Sequence, residues 1–164
     1  MSVKVVVLMG VSGSGKTTIG RGFAEVTGWA FEEGDRWHPP ANIEKMRAGI
    51  PLGDEDRWPW LDALARAIGE WVAADRRTVL ACSALKEAYR ERLAGGRPEV
   101  AFAYLRGTPE LVASRVTARR HEYMPSTLLP SQFAALEEPV GAIVLDINQS
   151  PKLLINQLRR SLGV

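Results

Sequence analysis

The chain has 164 residues, which suits a single domain. Its 46% hydrophobic and 24% charged content excludes a largely disordered chain. Lys plus Arg is 21 against 19 for Asp plus Glu, a net charge of +2, which argues against a dedicated nucleic-acid binder but not against a local anion site.

Val3 to Met9 is a β-branched, almost wholly apolar run, which predicts a central parallel strand covered on both faces. Gly10 to Gly15 breaks it, and Ile19, Phe23 and Val26 then recur at helical spacing from Lys16 onward. A second strand is predicted over Trp29 to Glu33, and a short helix over Asn42 to Ala48. Asp54 is read as the N-cap of a helix with an apolar stripe of Leu61, Leu64, Ala65, Ile68 and Trp71. Thr78 to Cys82 reads as a third strand, Leu85 to Leu93 as a helix, and Val100 to Leu105 as a fourth strand. A helix from Pro109 to about Arg119 leads into a proline-bearing loop read as a lid, about residues 119–130. Leu129 to Leu136 is predicted helical, Ala142 to Ile147 a fifth strand, and Pro151 to Leu162 the last helix. The alternation predicts an α/β domain: a five-stranded parallel sheet sandwiched by helices.

One cysteine, Cys82, leaves no internal disulfide and points to a reducing compartment. No apolar run reads as a membrane span and no signal peptide is evident, so a cytoplasmic location is expected.

Gly10-Val11-Ser12-Gly13-Ser14-Gly15-Lys16-Thr17 satisfies G-x-x-x-x-G-K-[ST] in full, between a strand and a helix. The glycines let main-chain N–H groups turn toward phosphate oxygens, and the helix N-terminus adds free N–H groups and a positive dipole end. Lys16 is the cation that reaches the β- and γ-phosphates, and the Thr17 hydroxyl is the expected Mg²⁺ ligand. Gly10, Ser12, Gly13, Ser14, Gly15, Lys16, Thr17 and Thr18 form the candidate nucleotide site. A Gly-Ser turn that merely joins strand to helix is the competing reading.

Glu33-Gly34-Asp35 follows the second strand, and ligands of open parallel sheets bind beyond the carboxyl ends of strands. Asp35 is thus placed to orient an acceptor hydroxyl and take its proton, and Glu33 to hold Mg²⁺ through water. Both could instead be solvated loop acids.

The chain resembles the gluconokinases, small P-loop kinases related to shikimate kinase. The match runs from the phosphate loop through Glu33-Gly34-Asp35 and His38-Pro39-Pro40-Ala41-Asn42-Ile43-Glu44-Lys45-Met46. It continues through Asp54-Glu55-Asp56-Arg57, Cys82-Ser83-Ala84-Leu85-Lys86 with Tyr89-Arg90, and Leu136-Glu137-Glu138-Pro139. The resemblance implies a P-loop, nucleoside-monophosphate-kinase-like fold in one domain, with an acceptor-binding segment at about residues 36–75. It also implies ATP- and Mg²⁺-dependent phosphorylation of D-gluconate at its 6-hydroxyl, and a homodimer.

On that reading Lys16, Asp35 and Arg119 are catalytic, and Arg115 and Arg119 reach the phosphates from the lid. Arg57 and Arg90 are candidates for the gluconate carboxylate, with His38, Ser83 and Lys86 as further polar contacts beside Asp35. Asn42, Glu44 and Lys45 are read as helix-surface residues, and Trp37 and Trp58 as candidate pocket walls. The family has a Gly-His pair shortly after the lid arginine, where this chain has His121-Glu122, a carboxylate that phosphate repels. Other readings are a kinase for another sugar acid or a shikimate-like acceptor, and a nucleotide-binding sensor without phosphotransfer.

Overall fold

The computed structural model describes residues 2–117 and 129–164. Five parallel strands run β1 Val5–Met9, β2 Ala30–Glu33, β3 Thr78–Ala81, β4 Val100–Arg106 and β5 Ile143–Asp146, in the sheet order β2-β3-β1-β4-β5. Around them lie α1 Lys16–Thr27, α2 Pro40–Arg47, α3 Asp54–Ala73, α4 Glu87–Ala94, α5 Pro109–Thr117, α6 Leu129–Ala135 and α7 Pro151–Leu162. The five-stranded parallel sheet and its flanking helices agree with the sequence reading.

The central strand explains the architecture. Side chains alternate across a strand, so Val6 and Leu8 face one layer while Val5, Val7 and Met9 face the other. All five are fully buried. The first layer packs Ile19 and Phe23 of α1 and Leu154 and Leu158 of α7. The second packs Trp60, Leu61, Leu64 and Ile68 of α3 with Tyr89 and Leu93 of α4. Both faces are covered because both are apolar, at roughly 1.5–3 kcal/mol for each large side chain removed from water.

Several predicted edges move. α3 is capped by Gly53, whose N–H donates to the Asp56 carboxylate at 2.9 Å, so Asp54 is the first helical residue and not the cap. α4 begins at Glu87, because Ala84 has φ 45° and Lys86 is extended. Ala67, not Ala65, lies in the buried stripe of α3.

The sheet order sets β3 between β1 and β2, so the chain ends of β1 and β2 flank the β3 terminus. The phosphate loop leaves β1 and the Glu33-Gly34-Asp35 segment leaves β2, hence both open at one end of the sheet. Gly34 begins a 3-10 turn, Gly34–Trp37, that packs hard against β3. A Cβ on Gly34 would lie 2.5 Å from the Ala81 carbonyl oxygen and 3.2 Å from Cys82 Cβ. Trp60 Nε1–H also donates to the Gly34 carbonyl at 2.8 Å. Gly34→Ala is therefore expected to destabilise the fold by about 1–3 kcal/mol. A lowered urea midpoint at unchanged m-value checks this.

Candidate active site

The phosphate loop is made by left-handed glycines: Gly13 has φ 82° and Gly15 φ 103°. Gly15 caps α1 without any side-chain bond, so the first-turn N–H groups stay available to an anion. Gly10 N–H donates to the Ser83 carbonyl at 3.1 Å, which ties the loop to the end of β3. Lys16 folds back over the loop, its Nζ donating to the carbonyls of Gly10 at 3.0 Å and Val11 at 2.9 Å.

One cavity joins this loop to the acceptor segment. Ser12, Gly13, Gly15, Lys16, Thr17 and Thr18 line one side, and Asp35, His38, Arg57 and Ser83 the other. Burial lowers the Lys16 pKa from its ordinary value, opposed by the carboxylates of Asp35 and Glu33. Burial raises Asp35, opposed by Lys16. Each group's charge thus opposes part of the other's burial-driven shift across the cavity.

Thr17 Oγ1–H donates to Glu33 Oε2 at 2.6 Å. Burial raises the Glu33 carboxyl, opposed by the Thr17 hydrogen bond. A hydroxyl and a carboxylate this close fit Mg²⁺, a hard cation that takes few protein oxygens and completes its octahedron with water and phosphate. Among the described residues no cluster of three or more His, Cys, Asp or Glu could hold a metal.

Arg57 Nη1–H donates to the Leu52 carbonyl at 2.9 Å and to the Tyr89 hydroxyl at 3.1 Å, and the guanidinium lies 5.4 Å from the Tyr89 ring. The Tyr89 hydroxyl in turn donates to Asp54 Oδ1. These contacts fix the arginine's direction at the cavity wall. His38 is buried and stacks on Trp60 with ring centroids 4.0 Å apart.

Two candidates sit elsewhere. Arg90 is buried but lies off the cavity lining, donating to the carbonyls of Ala84 at 2.7 Å and Glu137 at 2.8 Å and to the Glu87 carboxylate at 3.0 Å. It fastens α4 to the segment after α6. Lys86 also lies off the lining and pairs with Asp54 at 3.1 Å. Arg115 donates from Nη2 to the Ile147 carbonyl at 2.7 Å and lines a second cavity with Ser14, Gly15, Thr18 and Gln149, on the other flank of the loop. Arg119 and the rest of the lid, with His121 and Glu122, lie outside the described residues.

Three residues take roles that local sequence did not reveal. Gln132 of α6 accepts the Ser12 N–H at 2.6 Å and lines the main cavity. Trp60, not Trp37 or Trp58, forms the indole wall; Trp37 packs on Trp71 and Trp58 on Tyr89. Asn42 is 3% exposed and not a helix-surface residue. Cys82 is the small buried residue expected, its thiol pushed up to about 12, chiefly by burial.

No family model matches the chain. It is 48% identical over 136 residues to a gluconokinase of Gluconobacter oxydans, covering 83% of this chain and 76% of the relative. It is 42% identical over 149 residues to the thermoresistant gluconokinase of Escherichia coli, covering 88% and 85%. The chain belongs to the gluconokinase family. The crystal structure of a sugar kinase from a Janibacter species superposes with a TM-score of 0.93 at 46% identity, over 99% of this chain and 95% of that one. That of a gluconokinase from Sinorhizobium meliloti does so at 0.85 and 42%, over 99% and 94%. A shikimate kinase from Bacteroides thetaiotaomicron, at 0.69 and 16% identity over 98% of both chains, shares the P-loop kinase fold.

The raised Asp35 pKa gives a signed expectation. Between 3.8 and its folded value the native state binds more protons than the unfolded chain. The stability Asp35 contributes is therefore full below 3.8 and lost as pH rises through the folded value. At neutral pH, Asp35→Asn is expected to raise Tm while turnover with an acceptor collapses, as calorimetry and ADP release would show. The acid limb of kcat/KM should lie above 3.8 and vanish in that variant's residual activity.

Proposed function

We propose that the protein transfers the γ-phosphoryl group of ATP to the 6-hydroxyl of D-gluconate, with Mg²⁺. The observation that carries this reading is the single cavity in which Lys16 and Thr17 of the phosphate loop meet Asp35, His38 and Arg57. Membership of the gluconokinase family supports the choice of acceptor.

Asp35 accepts the proton of the attacking hydroxyl as the new P–O bond forms. Lys16 and the α1 N-terminus hold the transferring phosphoryl oxygens. Thr17 directly and Glu33 through water would hold Mg²⁺, which supplies positive charge between the phosphates when bound. Arg57 takes the gluconate carboxylate with the guanidinium nitrogens that have no protein partner among the described residues. His38, Ser83 and the Trp60 wall contact the polyol and exclude water. Arg115 lies beside the nucleotide in the second cavity, and Arg119 covers the phosphates from the lid.

No described helix is long and apolar enough to cross a membrane, and the activity is assigned to the cytoplasm, where ATP is at hand. The family resemblance suggests a homodimer, which sedimentation velocity reads directly.

A coupled ADP-release assay over about a dozen polyols and sugar acids, shikimate among them, tests the reading. Gluconate should stimulate release strongly and only with Mg²⁺; no stimulation by gluconate overturns the acceptor assignment. Lys16→Ala and Asp35→Asn should each lower kcat by roughly 10²–10⁴. Arg57→Ala should raise the gluconate KM by about tenfold or more, the loss of a charge-assisted bond. Lys86→Ala, outside the cavity, should change it by less than about threefold.

A further inference from the structure

Asn42 projects from α2 into the gap beneath α3. Its Nδ2 lies 2.7 Å from the Asp56 main-chain oxygen and 3.1 Å from His38 Nδ1. The Asp56 carbonyl can only accept, so the amide nitrogen must be the atom that faces it. That same nitrogen carries a second hydrogen and directs it at the imidazole. Nδ1 must then offer its lone pair, and the single proton of a neutral ring sits on Nε2.

The other edge of the ring opens on the cavity. His38 lines it together with Asp35 and Arg57. Nε2 has no hydrogen-bond partner among the described residues and is not among their sealed, unpartnered polar atoms. The ring plane is fixed as well, stacked on Trp60 at an interplanar angle of 17°. Trp60 is itself held by its bond to the Gly34 carbonyl.

We propose that Asn42 is a positioning residue that holds His38 as the neutral imidazole with its proton on Nε2, so that the ring presents one fixed donor to an acceptor hydroxyl. The proposal rests on the gluconate reading for the identity of that hydroxyl, not for the state of the ring. A fixed donor requires an oxygen lone pair at one place in the pocket, so it selects among polyols by hydroxyl position.

The charges around the ring support a neutral state. Arg57 and Asp56 come from α3, Asp35 from the turn before the histidine, and Lys45 from α2; Lys16 and Glu33 lie across the cavity. The Asp56 carboxylate is engaged by Lys45 Nζ at 2.9 and 3.1 Å and by the Gly53 N–H. Burial, with the Arg57 guanidinium second, pushes the His38 pKa down to about 4. Protonation would place an N–H against the Asn42 N–H and a second cation near Arg57.

Long-range ¹⁵N–¹H correlation spectra of the imidazoles test this without any acceptor present. The chain has two histidines, and His121→Gln assigns the His38 signals. The wild type should show a protonated Nε2, an unprotonated Nδ1 and no titration between about pH 5 and pH 8. Asn42→Asp sets an acceptor against Nδ1, so the proton should move to that nitrogen and the pKa rise toward neutrality. The gluconate KM of that variant should then vary about tenfold across the same pH range, while kcat changes less than about threefold. A wild-type His38 with its proton on Nδ1, or one titrating near 6.5, overturns the proposal. So does an Asn42→Asp variant whose KM–pH profile parallels the wild type. The wild-type spectrum decides the matter even where the Asp variant folds poorly. A failed gluconate assay and a failed tautomer assignment are separate results.

Discussion

The site depends on one electrostatic constraint: the Lys16 ammonium and the Asp35 carboxylate, each partly buried, face one cavity. Burial lowers the pKa of Lys16 and raises that of Asp35, and each group's charge opposes the other's shift. The fold meets the constraint with rigid main chain. The loop after β1 turns Lys16 back on the carbonyls of Gly10 and Val11, and Gly34, pressed on β3, delivers Asp35 from the opposite side. On the proposed function, a phosphoryl group entering between them would meet a cation for its oxygens and a base for the incoming hydroxyl.

The acceptor wall is built differently, from side chains that fix one another. Asp54 receives the Tyr89 hydroxyl, and Tyr89 receives Arg57. Asp56 receives Lys45 and the Gly53 N–H, while its carbonyl receives Asn42. The acidic run Asp54-Glu55-Asp56 at the start of α3 is thus more than a complement to the helix dipole. Two of its members hold the basic and amide groups that shape the pocket. A near-neutral chain can carry such a site because its charges are separated in space and not in number.

The phosphate loop, the parallel sheet and the placement of Lys16, Thr17, Glu33 and Asp35 around one cavity were legible in the sequence because each depends on neighbours within a few positions. Strand, glycine turn and helix follow one another directly, and a carboxylate at a strand end must lie at the ligand edge of the sheet. Residues whose meaning depends on distant partners were not legible. Asn42 looks like a solvent-facing polar residue on a short helix until α3 returns across it. Arg90 and Lys86 sit in a family-like block beside Ser83, yet only Ser83 lines the cavity; extended Lys86 and the positive φ of Ala84 delay α4 and turn the two cations away. Trp60 replaces the two expected tryptophans because its indole lies on the buried stripe of α3, where its N–H can reach Gly34. Gln132 could be joined to the phosphate loop only by tertiary contact, 120 residues apart in sequence.

The electrostatic coupling of Lys16 to Asp35 is tested most directly by the titration of the Asp35 carboxyl, followed by ¹³C NMR in the wild type and in Lys16→Met. The account requires a wild-type pKa above 3.8, and a further rise when the cation is removed. An Asp35 that titrates at or below the ordinary value, or that does not respond to the loss of Lys16, would contradict it.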